Sequence, residues 1–243
     1  MGDWLARRRA APGARARMYC FPHGGGSPGE YLRWSEDLPE LEVWGVQAPG
    51  RGPRFGEEPF DRLAPMVDAL VRETSFAPPF VLFGHSLGAL AAYETARALR
   101  RAGRPAPVLL VVSAYPAPHL PRAAAPVHGL PDEALLAAVE DRYGRWPEEI
   151  REDPDLLALT LAVHRADFAL LETYAHVPDE PLSVPVLAVT GAQDAGTPAE
   201  LDGWRDHATR CDTRVVPGGH FYHRDGKDAL FALIRERLDE LLP

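Results

Sequence analysis

Three residues of this 243-residue chain, Ser86, Asp194 and His220, have types and an order that suit nucleophilic catalysis. Each follows an apolar run that predicts a β-strand, and open α/β sheets bind ligands at the carboxyl ends of their strands. A serine hydroxyl is a poor nucleophile near neutral pH, so it needs a base that accepts its proton during attack. His220 would be that base, and Asp194 would fix the imidazole tautomer and stabilise the imidazolium.

Ser86 is the centre of the sequence Gly84-His85-Ser86-Leu87-Gly88, which follows the apolar residues 80–83 and leads into strong helix formers. This strand, turn and helix pattern predicts a nucleophile elbow, in which the serine has strained backbone angles and the glycines leave room for strand and helix. Chance would produce the bare Gly-x-Ser-x-Gly pattern only about 0.04 times in this composition. The alternative is a serine in an ordinary tight turn. The chain order Ser, Asp, His is the order that α/β-hydrolases use.

A glycine-rich loop, residues 22–29, follows the predicted strand 17–21. In α/β-hydrolases such a loop supplies one backbone N–H of the oxyanion hole, and the residue after the nucleophile, here Leu87, supplies the other. The alternatives are a phosphate cradle and a plain flexible turn. A phosphate loop needs a Lys-Ser/Thr pair that opens a helix, and that pair is missing here.

The chain has nine histidines, and His220 is the preferred general base among them. His85 lies inside the elbow and is expected to point away from the serine proton. His223 is the rival candidate, but the turn Gly218-Gly219 leads directly to His220. For the acid, Asp194 has no close competitor, since the loop after the predicted strand 108–112 has no carboxylate.

Strand and helix patterns alternate along most of the chain, which predicts one α/β domain over residues 1–243 with a mostly parallel, doubly wound sheet. The predicted strands are 17–21, 42–46, 80–83, 108–112, 184–190 and 213–216, and the predicted helices are 31–38, 63–71, 87–99, 131–142, 147–151, 155–174 and 227–242. Thr197 to Glu200 forms a predicted capping box at the start of a further helix.

Residues 126–180 interrupt the alternation with helical patterns alone. An insertion at the carboxyl edge of the sheet would cover Ser86 as a lid. The alternative, that these helices simply pack as core, is compatible with a lid. Five apolar side chains are candidates for lining a substrate chamber: Leu136, Trp146, Phe168, Leu171 and Tyr174.

Composition limits the partners. The net charge of −9 argues against nucleic acid as the main partner. Two cysteines are too few for a disulfide framework and are expected to be free thiols. Residues 10–14 do not form the apolar core of a signal peptide, and no stretch approaches the length of a membrane span. These observations predict a soluble, cytoplasmic protein that does not bind a membrane.

Characteristic short stretches are distributed over nearly the whole chain: Trp4-Leu5, Cys20-Phe21-Pro22-His23-Gly24-Gly25-Gly26-Ser27, Gln47-Ala48-Pro49-Gly50-Arg51, Gly84-His85-Ser86-Leu87-Gly88, Arg165-Ala166-Asp167-Phe168 with Glu172-Thr173-Tyr174, and Gly218-Gly219-His220-Phe221. They resemble those of the type II thioesterases of polyketide and nonribosomal peptide synthesis, which have the α/β-hydrolase fold. This sequence departs from the family's pattern at Ala48, Gly52 and Leu87, and it has no proline after Asp194. The missing proline affects the expected shape of the loop that carries Asp194.

The resemblance implies an editing thioesterase that hydrolyses stalled or wrong acyl groups from the phosphopantetheine arm of an acyl or peptidyl carrier protein. Ser86 would be acylated, and water activated by His220 would release the acid. The resemblance requires no metal or cofactor, and it favours Gly24 as the partner of Leu87 in the oxyanion hole. An acidic carrier protein would need a local basic or apolar patch on this acidic chain, for which the candidates are Arg51, Arg54, Arg97, Arg100, Arg101 and Arg104.

Two other functions remain open at this point. One is a small-molecule esterase or acyltransferase that uses the same triad. The other is a binding protein that keeps the fold without its chemistry, against which the complete set of Ser86, Asp194 and His220 argues.

Overall fold

The computed structural model describes residues 4–122, 124–196 and 198–242. Within them the chain forms a seven-stranded sheet with the order β1-β3-β2-β4-β5-β6-β7. The strands are β1 (Leu5–Ala6), β2 (Ala16–Phe21), β3 (Leu41–Val46), β4 (Phe80–His85), β5 (Leu109–Ser113), β6 (Val186–Gly191) and β7 (Cys211–Val216). Strands β2 to β7 are parallel, and β1 pairs with β3 in the antiparallel direction.

Helices of very different length connect these strands. The described α-helices are α1 (Pro28–Leu32), α2 (Leu63–Glu73), α3 (Leu87–Arg101), α4 (Asp132–Tyr143), α5 (Glu148–Glu152), α6 (Pro154–Glu172), α7 (Pro198–Asp202), α8 (Tyr222–Asp225) and α9 (Lys227–Leu241). Short 3₁₀ helices lie at Arg33–Ser35, Gly52–Arg54 and Gly203–His207.

Helices cover both faces of the sheet. Every residue of β4, β5 and β6 is buried, which explains why these strands read as apolar runs without alternation. One apolar core packs the sheet against α2 and α3, and the other packs it against α1 and α9. The predicted mostly parallel, doubly wound sheet is therefore confirmed.

The predicted element boundaries differ from the observed ones where the local signal was short. The first helix begins at Pro28 rather than at residue 31, because proline fits the first helical position, where its missing N–H is not needed. Strand β1, which is only two residues long, was not predicted from the sequence. The helix predicted over residues 87–99 is confirmed as α3, which ends two residues later at Arg101, and Gly103 beyond it has a φ of +61°.

The carboxyl ends of β2, β4, β6 and β7 lie at one edge of the sheet, as parallel pairing requires. Helices α4, α5 and α6 follow β5 and precede β6, inside the block that was predicted as an insertion. No helix among the described residues is long and apolar enough to cross a membrane.

Candidate active site

Ser86 occupies a sharp turn between β4 and α3, as the elbow pattern predicts. Its φ and ψ are 54° and −120°, a conformation that non-glycine residues rarely adopt, and its N–H donates to the Ser113 carbonyl over 2.8 Å. A Cβ on Gly84 would overlap the Gly88 carbonyl, and a Cβ on Gly88 would overlap the carbonyl of Phe21. Both glycines are therefore required by the close approach of the backbone around the serine.

Asp194 and His220 lie in two neighbouring loops that follow β6 and β7. The loops are joined by hydrogen bonds from the Gln193 N–H to the Gly218 carbonyl and from the Gly218 N–H to the Gln193 side chain, 2.9 and 2.8 Å long. His220 Nδ1 lies 3.1 and 3.2 Å from the two carboxylate oxygens of Asp194. Because Nδ1–H donates to the carboxylate, the Nε2 of the neutral ring is left as an acceptor.

The ionisation of Asp194 is set by opposing effects. Burial by itself raises the pKa of this carboxyl, but the hydrogen bond and charge of His220 and the N–H of Ala195 hold the net pKa below its ordinary value. Asp194 is thus an anion at neutral pH, as a residue that orients and stabilises an imidazolium must be. Thr197, the N-cap of the predicted capping box, lies outside the described residues.

Ser86 and His220 line one cavity of about 230 Å³. The glycine-rich loop contributes Gly24 and Gly25 to the same cavity, and helices α4 and α6 also contribute side chains to its lining. The contacts of the described residues include no hydrogen bond between the Ser86 hydroxyl and His220. Catalytic hydrogen bonds are often long in unliganded enzymes and tighten in the substrate complex.

The glycine-rich loop presents its N–H groups unequally. The Gly25 N–H donates to Asp167 Oδ2 over 2.7 Å, and the Gly26 N–H donates to the His23 carbonyl over 2.9 Å. Among the described contacts, the N–H groups of Gly24 and Leu87 have no acceptor. Leu87 is the first residue of α3, where a helix has no internal partner for the N–H.

A buried ion pair fixes this loop. The Arg51 guanidinium contacts both carboxylate oxygens of Asp167, over 2.5 and 2.9 Å, and also donates to the Gly26 carbonyl over 3.2 Å. Asp167 is only 1% exposed. Burial alone would lower the pKa of Arg51, but the Asp167 charge raises it above its ordinary value. This role was not predicted, although Arg51 and Asp167 both lie in sequence stretches that resemble the thioesterase family.

The structure excludes three of the predicted docking arginines from a docking surface. The side chains of Arg51, Arg54 and Arg97 are only 12%, 9% and 4% exposed. Arg54 pairs with Glu57, and Arg97 pairs with Glu94 and donates to the Val177 carbonyl. Two more, Arg100 and Arg104, are partly exposed and donate to backbone carbonyls, while Arg101 is exposed. Four of the six candidates, Arg51, Arg54, Arg97 and Arg100, form ion pairs with carboxylates, and a charge run in the sequence does not reveal such pairing.

Neither His85 nor the rival base candidate His223 is among the residues that line the cavity. His85 is completely buried and its Nδ1 is 2.8 Å from the Ser113 hydroxyl, while His223 Nε2 is 2.8 Å from Glu30. Burial lowers the pKa of both rings. The cavity contains His220 and not His223, which is the order of preference that the sequence analysis reached.

The chamber lining agrees with three of the five apolar candidates. Trp146, Phe168 and Leu171 line the cavity. Leu136 packs against the core instead, and the Tyr174 hydroxyl donates to Glu94 over 2.8 Å. Several other residues also line the cavity although the sequence did not predict them as lining residues, among them Val139, Tyr143, His164, Phe221 and Arg224.

One group of described side chains has a spacing suited to a metal ion: His23, Glu30 and His223, whose ligand atoms lie within 4.8 Å of one another. The Arg224 guanidinium donates to both Glu30 oxygens, over 2.8 and 3.1 Å, and its Nη2 lies 3.4 Å from His23. A cation therefore already neutralises the one carboxylate of this group. The group fits a metal poorly.

Comparisons with known proteins agree on one family. The thioesterase domain family matches residues 16–238. The chain is 39% identical to the thioesterase PikA5 of Streptomyces venezuelae over 92% of this chain and 81% of that protein. The type II thioesterase BorB of the borrelidin biosynthetic cluster has a TM-score of 0.86 and 35% identity over 97% of both chains. YbtT, the type II thioesterase of the yersiniabactin pathway, has a TM-score of 0.88 and 29% identity over 99% of this chain and 100% of that one. The predicted α/β-hydrolase fold is thereby confirmed.

Proposed function

The chain belongs to the thioesterase domain family, and on this basis we propose that it removes aberrant or stalled acyl groups from the phosphopantetheine arms of acyl or peptidyl carrier proteins. The similar structures support this substrate class, since YbtT is named as a type II thioesterase of an NRPS/PKS biosynthetic pathway and BorB as a type II thioesterase of a biosynthetic cluster. The observation that carries the mechanism is that Ser86, His220 and the Gly24 loop line one cavity, with Asp194 in contact with the histidine.

The first half of the reaction transfers the acyl group to the enzyme. Ser86 Oγ attacks the thioester carbonyl while His220 Nε2 takes the hydroxyl proton. The C–S bond then breaks, and the imidazolium returns the proton to the pantetheine sulfur. Asp194 stabilises the charged ring throughout, because its carboxylate already accepts the Nδ1–H.

The oxyanion that forms in this step needs donors that are not engaged elsewhere. The N–H groups of Leu87 and Gly24 meet this condition among the described contacts, whereas the Gly25 N–H is held by Asp167. The pair Leu87 and Gly24 is therefore our proposed oxyanion hole. Loss of one such donor typically lowers kcat by about 10² to 10³.

The second half returns the enzyme to its free state. A water molecule attacks the acyl-Ser86 carbonyl while His220 accepts its proton. The ester bond to the serine then breaks, the imidazolium returns that proton to Ser86 Oγ, and a carboxylic acid is released.

We further propose that the whole chain is one domain in which residues 126–180 form a lid. Lining of the cavity by α4 and α6 supports this role, since a lid limits the access of water to the acyl-enzyme.

Partner and location follow from the same proposal. The carrier protein meets the enzyme at the opening of this cavity, and neither nucleic acid nor a membrane takes part. The cytoplasmic location expected from the sequence stays a prediction, and the two free cysteines support it.

Turnover of three matched substrates tests the proposal: an acyl carrier protein, the same acyl group on free pantetheine, and its nitrophenyl ester. We expect the highest kcat/KM on the carrier protein. Equal or higher values on the simple ester would favour a small-molecule esterase instead. Transfer of the acyl group to an added alcohol or amine in place of water would favour an acyltransferase.

The serine mechanism is tested with Ser86→Ala and a matched control, Ser183→Ala, at an exposed position outside the cavity. We expect Ser86→Ala to lose turnover and the acyl-enzyme mass adduct, while Ser183→Ala retains both. Full activity of Ser86→Ala would overturn the mechanism.

A further inference from the structure

Besides His220, the acyl chamber contains a second histidine whose ring nitrogen is an unused hydrogen-bond acceptor among the described contacts. His164, on α6, lines the cavity together with Ser86, and its Nδ1–H donates to the Thr160 carbonyl over 2.8 Å. A ring whose Nδ1 donates to a carbonyl carries a lone pair on Nε2 when it is neutral. Burial lowers the pKa of His164, which keeps the ring neutral near neutral pH. Its Nε2 has no partner among the described residues.

The position of this nitrogen is fixed from two sides. The His164 ring packs against Trp146 with 4.7 Å between ring centroids. The Gly25 backbone also packs closely against the ring, since a Cβ on Gly25 would overlap both Nε2 and Cε1. The acceptor is thus held against the loop that contributes Gly24 to the proposed oxyanion hole.

The surroundings of Nε2 make hydrogen bonding there selective. The rings of Trp146 and Phe168 lie next to the His164 ring, with centroids 4.7 and 6.4 Å away, and Val139 and Leu171 line the same chamber, so apolar side chains surround part of this space. A hydroxyl or amine that enters such a lining loses its water and needs a new partner. An alkyl chain in the same place would instead leave the Nε2 lone pair desolvated and unpaired, which also costs free energy.

We propose that His164 Nε2 is a specificity-determining acceptor that favours acyl groups bearing a hydrogen-bond donor, a hydroxyl or amine, near the thioester carbonyl. The proximity of Gly25 to both His164 and Gly24 places the preferred donor on the first carbons of the acyl chain. This inference rests on the proposed function, because it assumes that an acyl group bound to Ser86 occupies this cavity.

The test compares pantetheine thioesters of butyrate with those of 2-hydroxybutyrate and 3-hydroxybutyrate, each hydroxy acid as separate enantiomers. For the wild-type enzyme we expect kcat/KM about three- to tenfold higher for at least one hydroxy thioester than for butyryl pantetheine, the effect of one neutral hydrogen bond. His164→Leu should abolish this ratio, and His164→Gln, which keeps an acceptor oxygen, should restore part of it.

Leu171→Met is the matched control, because it alters the lining without adding or removing a strong acceptor, and it should leave the ratio unchanged. A merely structural role of His164 would lower activity on all substrates equally and leave the ratio intact, which would overturn the proposal. So would a wild-type enzyme with no preference for a hydroxyl group. Failure to cleave any of these thioesters would instead count against the proposed function itself.

Discussion

Replacement of Asp167 by alanine tests whether the buried Arg51–Asp167 pair holds the oxyanion loop. The substitution leaves a guanidinium whose side chain is 12% exposed without its counter-ion and removes the acceptor of the Gly25 N–H. Loss of one partner of a buried ion pair typically costs about 3–5 kcal/mol. Most domains of this size are stable enough to remain folded after that loss, since their total stability is about 5–15 kcal/mol.

Asp132→Ala is the matched control. Asp132 also pairs with an arginine, Arg165, at 2.5 Å, but its side chain is 67% exposed, whereas that of Asp167 is 2% exposed. A solvent-exposed pair of this kind contributes about 0–1 kcal/mol. The two variants therefore differ mainly in the burial of the pair that they break.

Urea unfolding gives the free energy of unfolding of each variant, and steady-state turnover of an acyl pantetheine gives kcat. We expect Asp167→Ala to lose about 3–5 kcal/mol and, because Gly24 shifts with the released loop, about 10² in kcat. Asp132→Ala should change neither quantity substantially. Equal stability losses in the two variants, or full kcat in Asp167→Ala, would refute the assignment of this pair as the support of the loop.

Three further predictions concern the triad, the elbow and the response to acid. Asp194→Asn should lower kcat by about 10³ to 10⁴ with little change in unfolding free energy, because the amide can leave His220 in the wrong tautomer; steady-state kinetics and urea unfolding measure the two effects. Gly88→Ala should destabilise the protein and reduce turnover at least tenfold, since its Cβ would overlap a backbone carbonyl, whereas Gly13→Ala, whose Cβ meets nothing within 4 Å, should be silent in the same assays. His207 should make the fold acid-sensitive: burial, followed by the charges of neighbouring histidines, lowers its pKa to about 4 from 6.5. Between these pH values His207 binds more protons in the unfolded chain than in the folded one. The contribution of His207 to the free energy of unfolding, at most about 3 kcal/mol, is therefore complete above pH 6.5 and is lost as the pH falls towards 4. Urea unfolding at several pH values measures this effect: the free energy of unfolding should fall less between pH 6.5 and 4 in His207→Gln than in the wild type. An equal fall in the two proteins would contradict the assignment of the acid sensitivity to His207.

Much of the fold was accessible from the sequence because its signals are local. The strand, turn and helix around Ser86 are encoded by contiguous residues, whose apolar run, flanking glycines and helix formers indicate the elbow without knowledge of any partner. The buried parallel strands are similarly marked by continuous apolar runs. Strand β1 was not predicted, because its two residues are too few to show the alternation of apolar and polar side chains that indicates a strand.

Side-chain partners far apart in sequence were decided by the tertiary structure. Arg51 and Asp167 are 116 residues apart, and nothing in the local pattern of either distinguishes a buried pair from two solvated charges. The same applies to His164, whose turn towards Gly25 depends on how α6 lies over the loop after β2. A helical period assigns a residue to one face, but it does not say what covers that face.

The sequence by itself therefore determined the order Ser86, Asp194, His220 and the type of turn that holds the serine, since strand ends and glycine turns are short-range features. Tertiary structure decided the contact of His220, rather than His223, with Asp194 and the cavity. It also decided that Asp167 engages the N–H of Gly25, whereas the N–H of Gly24 has no acceptor among the described contacts. Both outcomes depend on packing between elements. In the second, Asp167 is 142 residues from Gly25 along the chain, yet it engages the Gly25 N–H and leaves the N–H of Gly24 available.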